Sequence, residues 1–165
     1  MVTRSHVVLR EAGVGLERLE QIGKAFARAL HPGDLVLLYG PLGAGKTTLV
    51  RVIAQALQVS DPVRSPSFTI ANIYSGETVV QHLDLYRLDV IGDDDALALE
   101  EYVCDDAVTL VEWPEAGLDR LGKPVFTVRM DHETLETRSL TVEAADEAAA
   151  ERWRRADGAA DDVDA

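Results

Sequence analysis

Apolar positions along the chain switch repeatedly between unbroken runs and helical spacing. Residues 5 to 9 (SHVVL) read as a short edge strand. Leu19, Ile22, Phe26 and Leu30 then recur at three- and four-residue intervals, which predicts an amphipathic helix over residues 16 to 30. His31-Pro32-Gly33-Asp34 breaks that helix. Five apolar residues (LVLLY, 35 to 39) lead into the glycine-rich stretch GPLGAGKTT, after which Leu49, Val52, Ile53, Ala56 and Leu57 return to helical spacing. Strand, loop and helix thus follow one another without interruption.

Pro62 and Pro66 each remove a backbone donor and disfavour helix just before them, so residues 59 to 67 read as an ordered loop of extended character. FTIANIY (68 to 74) and TVVQHLDLY (78 to 86), separated by Ser75-Gly76-Glu77, form a natural hairpin. A short helix is expected around Leu97, Glu100 and Glu101, after an Asp93 to Asp95 cap. AVTLV (107 to 111) is a buried central strand ending at Glu112-Trp113-Pro114, and VFTVRM (125 to 130) and SLTVEA (139 to 144) are two more strands joined by a polar turn. From residue 145 alanine and charge dominate, with Trp153 the one large apolar side chain, and a frayed helix running into a disordered acidic tail is expected. The whole predicts an α/β, three-layer nucleotide-binding domain over residues 1 to 144, with a mostly parallel central sheet, antiparallel hairpin additions, and a partly disordered tail over 145 to 165.

Composition narrows the function. At 165 residues and 47% hydrophobic content the chain suits one domain with a proper core. No apolar run approaches a membrane span and no leader-like segment opens the chain, so a cytoplasmic protein is expected. One cysteine, Cys104, cannot form an internal disulfide and reads as a packing residue. The net charge of -13 argues against direct contact with a nucleic-acid backbone. Much of it sits between Asp84 and Asp106, where nine carboxylates face one arginine, Arg87; this is a solvated face or one that meets a basic partner.

The glycine-rich stretch fits G-x-x-x-x-G-K-[ST], with Gly40, Gly45, Lys46 and Thr47 in the fixed positions and Gly43 between them. Glycines let consecutive amides, those of Gly43, Ala44, Gly45 and Thr48 included, converge on phosphate oxygens. Lys46 adds a full charge toward the β- and γ-phosphates, and the Thr47 hydroxyl at the helix start can ligate Mg²⁺. The expected ligands are ATP and Mg²⁺.

A phosphate-bound metal also needs a carboxylate, and a hydrolytic water needs orienting. Glu112, at the C-terminal end of a buried strand, is assigned to Mg²⁺. Asp84, in HLDLYRL, is assigned to the γ-phosphate side, as an outer metal ligand or a water-orienting base. The plainer reading makes both structural carboxylates, paired with Arg87 or Lys123. The hydroxyls of Ser67 and Thr69 would reach Mg²⁺ or γ-phosphate, or simply cap their loop. For Trp113 a base-stacking ring and an anchor for the sheet edge stand side by side.

GPLGAGKTT, SPSFTIANIY, HLDLYRL and LVEWPE, in this order and spacing, resemble the TsaE (YjeE) family over residues 16 to 143. The resemblance implies a P-loop NTPase fold and an ATPase that works with the TsaB and TsaD proteins in threonylcarbamoylation of adenosine 37 in tRNAs reading ANN codons. It implies that Thr47 and Glu112 bind Mg²⁺, that Asp84 serves hydrolysis, and that tRNA is met only through the partners. The family's SPTF is SPSF here, with the hydroxyl kept at Ser67, and Leu19 stands where a nucleotide-contacting Thr or Ser often precedes the first helix's Leu-Gly pair, so no contact is carried across there.

Two other functions compete. A small-molecule kinase also begins with such a loop, but generally needs an arginine-rich lid, which residues 84 to 106 lack. A nucleotide-gated binding module would use ATP only to hold residues 64 to 74 in a partner-competent form. With no obvious arginine finger besides Arg87, slow intrinsic turnover and stimulation by partners are expected.

Overall fold

The computed structural model describes residues 4 to 63, 71 to 86 and 99 to 159. Expectations for Ser67, Thr69, Arg87, Leu97, the Asp93 to Asp95 cap and residues 160 to 165 fall outside them.

Among the described residues seven strands form one sheet: β1 (His6–Val14), β2 (Leu35–Tyr39), β3 (Ala71–Tyr74), β4 (Val79–Asp84), β5 (Ala107–Glu112), β6 (Phe126–His132) and β7 (Arg138–Ala144). Their order across the sheet is β1-β7-β6-β2-β5-β4-β3. The four central strands β6, β2, β5 and β4 are parallel, whereas β3, β7 and β1 add antiparallel edges. This is the mostly parallel sheet with antiparallel additions that the apolar runs predict. The β3–β4 and β6–β7 hairpins are both present.

Alternation along β2 divides the core. Val36 and Leu38 point to the face covered by α1 (Leu16–Ala29), α2 (Lys46–Ala56) and α5 (Glu147–Gly158). Leu35 and Leu37 point to the opposite face, with Leu83, Leu85, Leu99 and Leu121. There α3 (residues 99 to 102) and α4 (Leu118–Leu121) complete the third layer. No helix among the described residues is long and apolar enough to cross a membrane.

Two boundaries differ from expectation. β1 runs to Val14 rather than stopping near residue 9, because register breaks between Val7 and Leu9 and between Glu11 and Val14 erase the two-residue alternation while pairing with β7 continues. The helix expected after residue 144 is present as α5 and packs into the core. Asp146 caps α5 by accepting from the Ala149 amide at 2.8 Å, and Ala149, Ala150, Trp153 and Ala156 form a buried face. Trp153 is 1% exposed and meets Phe26 and Phe126 edge-on, at centroid distances of 4.7 and 5.8 Å. Arg152 pairs with Asp34 and donates to the Ala29 carbonyl at the end of α1. The core therefore continues past residue 144 into α5.

α1 and α2 approach closely at Gly23, where a Cβ would stand 2.3 Å from Val52 Cγ1 and 2.9 Å from its Cβ. Gly23→Ala is expected to destabilise the protein by about 1–3 kcal/mol through overpacking. Thermal melts of Gly23→Ala with and without Val52→Ala check this, the second change relieving part of the loss.

Candidate functional site

The loop between β2 and α2 stands at the C-terminal ends of the parallel strands, where β2 feeds directly into a helix N-terminus. Three of its glycines have positive φ: Gly40 at 152°, Gly43 at 75° and Gly45 at 98°. At Gly40 a Cβ would lie 2.4 Å from the Met130 carbonyl oxygen, a backbone atom of the neighbouring strand, so only glycine fits. Gly45 is the left-handed residue from which α2 starts, leaving the first amides of that helix free of any side-chain cap.

Lys46 is buried against this loop, donating from Nζ to the Gly40 carbonyl at 2.5 Å and the Pro41 carbonyl at 2.9 Å. The ammonium also lies 4.2 Å from the centroid of the Trp113 ring. Burial lowers its pKa, against the opposing pull of the Glu112, Asp84 and Glu115 carboxylates.

Strand register brings the two candidate acids together. Asp84 ends β4, Glu112 ends β5, and they are direct neighbours across the parallel pair. Glu112 is 2% exposed, and its Oε1 has no hydrogen-bond partner among the described residues. Asp84 is less enclosed, its Oδ1 accepting from the Tyr86 amide at 3.0 Å. Burial raises the Asp84 pKa; the Tyr86 amide acts against this, and the Glu112 charge adds to it. A raised carboxyl pKa makes a better proton acceptor near neutral pH.

Together Gly43, Ala44, Gly45, Lys46, Thr47, Thr48, Asp84, Tyr86, Glu112 and Trp113 line a pocket of about 250 Å³. Apart from Gly40, which shapes the loop from behind, the described residues singled out for phosphate, metal or catalysis meet in this one place, while Ser67 and Thr69 lie outside the described residues. Lys46 is the sole cation among its described lining residues. The two adjacent carboxylates, one with an orphaned buried oxygen, and the nearby Thr47 hydroxyl offer the hard oxygen donors that suit Mg²⁺. Trp113, left-handed at φ 52°, packs its ring 4.7 Å from that of Tyr86 and over Lys46. That places the ring beside the loop lysine, on the wall of the pocket. Lys123 is not among the residues lining this pocket and instead borders a separate hollow with Gly33 and Asp146, which removes it as a partner for either acid.

Some contributors escaped the sequence reading. His132 Nε2 lies 3.0 Å from the Leu42 carbonyl, and Arg138 donates to the Gly43 carbonyl at 3.4 Å, so the β6–β7 hairpin braces the loop from outside. Beyond Thr48 a second recess of about 120 Å³ is lined by Val14, Gly15, Leu16, Leu19, Gly45, Glu136 and Arg138. The start of α1 therefore borders the loop, although no contact was expected there. A larger groove between α1 and α2, lined by Glu20, Lys24, Arg28 and Gln55 among others, contains none of the predicted site residues.

Known proteins are similar to this chain in sequence and in fold. The family model for threonylcarbamoyl adenosine biosynthesis protein TsaE matches residues 15–140. Proteins named tRNA threonylcarbamoyladenosine biosynthesis protein TsaE are similar in Mycobacterium tuberculosis, at 38% identity over 67% of this chain and 71% of the relative, and in Streptomyces coelicolor, at 35% over 84% and 96%. The crystal structure of Bacillus subtilis YdiB superposes with a TM-score of 0.77 and 30% identity, covering 93% of this chain and 98% of that one. With its P-loop NTPase-like sheet and more than half its length matched, this chain belongs to the TsaE family.

Proposed function

We propose that this protein binds Mg-ATP at residues 40 to 48 and hydrolyses it slowly, as a subunit that acts with the TsaB and TsaD proteins in threonylcarbamoylation of adenosine 37 of tRNA. The observation that carries the reading is the convergence of Lys46, Thr47, Asp84 and Glu112, from three separate stretches of chain, on one pocket at a helix N-terminus. The names of the relatives support the pathway.

In this reading the amides of Gly43 to Thr48 hold the α- and β-phosphates, and Lys46 turns its ammonium from the Gly40 and Pro41 carbonyls toward the γ-phosphate. Thr47 and Glu112 hold Mg²⁺, which when bound neutralises charge on the phosphate oxygens. Asp84 orients the attacking water and accepts its proton. The recess beside Thr48, with Val14, Leu16 and Leu19, receives the adenosine end. No arginine is among the described residues lining the pocket, which fits slow turnover alone and stimulation by partners. The same lack disfavours a kinase. The net charge of -13 fits a subunit that leaves tRNA to those partners in the cytoplasm.

Lys46→Ala is expected to weaken ATP binding by about 1.5–3 kcal/mol, roughly 10- to 150-fold. Calorimetric titration of the purified variant measures it, and unchanged affinity would overturn the site. ATP turnover measured alone and with TsaB–TsaD added tests the pathway reading, with equal rates counting against it.

A further inference from the structure

Beneath the pocket a line of buried polar groups, unused by this mechanism until it reaches Glu112, runs across the sheet. His82 is wholly buried and stands two residues before Asp84 on the same face of β4. Its Nδ1 is 3.3 Å from the Tyr74 hydroxyl on β3, and its Nε2 is 3.6 Å from Glu112 Oε1 on β5. Asn72 Nδ2 in turn donates to the Tyr74 hydroxyl at 3.3 Å. Three strands thus contribute to one polar line inside an apolar layer, with Tyr74 4%, His82 0% and Glu112 2% exposed. Burial of such groups is unfavourable unless they are matched. His82 Nε2 and Glu112 Oε1 have no hydrogen-bond partner among the described residues, and they face each other just beyond bonding distance.

We infer that His82 is a positioning residue for Glu112, donating its Nε2 hydrogen to Oε1 so that the other carboxylate oxygen is aimed at the metal, while Tyr74 sets the histidine tautomer. The role rests on the Mg-ATP reading above. An ionised carboxylate only accepts, so the proton belongs on Nε2. The neutral ring then has a bare Nδ1, which the Tyr74 hydroxyl supplies with a hydrogen while itself accepting from Asn72. The hydrogens thus run in one direction, from Asn72 to Tyr74 to His82 to Glu112. Partners of this outer kind hold ligating carboxylates in orientation, and their loss typically costs roughly 10- to 100-fold in metal affinity.

The histidine amide mimics separate the two ring nitrogens. In His82→Gln the amide nitrogen falls near the Nε2 position and keeps a donor for Glu112; in His82→Asn it falls near Nδ1 and the donor is lost. ATP affinity measured by calorimetry across a Mg²⁺ series and again in chelator gives the readout. The half-saturating Mg²⁺ concentration is expected to rise roughly 10- to 100-fold in His82→Asn, to stay near the wild-type value in His82→Gln, and to rise by a smaller factor in Tyr74→Phe. Affinity in chelator should be the same for all. Nitrogen-15 spectra of the wild-type imidazole, which need no variant and no metal, should show the Nε2–H tautomer. The Nδ1–H tautomer, equal Mg²⁺ dependence in His82→Asn and wild type, or equal losses in both amide variants with chelator affinity falling in step would overturn the role. Wild-type binding that ignores Mg²⁺ would instead overturn the metal assignment of Glu112 itself.

Discussion

Trp153→Ala is expected to lower stability by about 3–5 kcal/mol, a large part of the roughly 5–15 kcal/mol that holds a domain folded. The indole fills the space between α1, α5 and the sheet, meeting the Phe26 and Phe126 rings edge-on. Alanine would leave a cavity walled by two aromatic rings whose own contact, 5.7 Å between centroids, keeps them from collapsing into it. In a thermal melt the loss should appear as a fall of roughly 6–20 °C. Trp153→Phe should recover much of it. The change keeps the aromatic contacts and deletes an indole N–H that finds no partner among the described residues. A melt unchanged by alanine would mean that α5 does not contribute to the core.

Asp84→Ala is expected to reduce ATP turnover roughly a hundredfold or more, the usual contribution of a positioned general base. ATP affinity should change little, because Lys46, the loop amides and Glu112 all remain. The side chain is well placed for that split. It stands beside Glu112 at the strand ends, lines the pocket, and is held from behind by the Tyr86 amide. Steady-state hydrolysis together with calorimetric ATP binding measures both quantities. If the variant still binds ATP and its partners but fails to sustain repeated rounds of tRNA modification with TsaB–TsaD, hydrolysis is functional. Full multi-turnover support would favour nucleotide gating alone.

The sheet was legible because its central strands announce themselves locally: LVLLY and AVTLV are buried on both faces, so no alternation is needed to find them. The glycine-rich loop between β2 and α2 was legible because glycine and lysine stand at fixed spacing within nine residues. The two acids could be placed because each ends an apolar strand. What escaped was decided at a distance. Trp153 sits among alanines and charges, so local hydrophobicity is low, although Ala149, Trp153 and Ala156 share one helical face and Asp146 is a recognisable cap. His132 and Arg138 come from a polar hairpin end with no periodicity, and their value lies in carbonyls about ninety residues away along the chain. The burial of His82 follows from pairing with β3 and β5 on either side, which no local pattern encodes.

The brace that His132 and Arg138 place on the loop has a thermodynamic consequence. Ordering one residue of backbone costs about 1–2 kcal/mol in conformational entropy. Because the Leu42 and Gly43 carbonyls are tied to the β6–β7 hairpin, that entropy is lost once, on folding, and not again whenever a phosphate arrives. In the proposed function ATP would meet a cradle already shaped on one flank. The opposite flank has no such tie to the hairpin: there the Trp113 ring lies over Lys46 and against the Tyr86 ring.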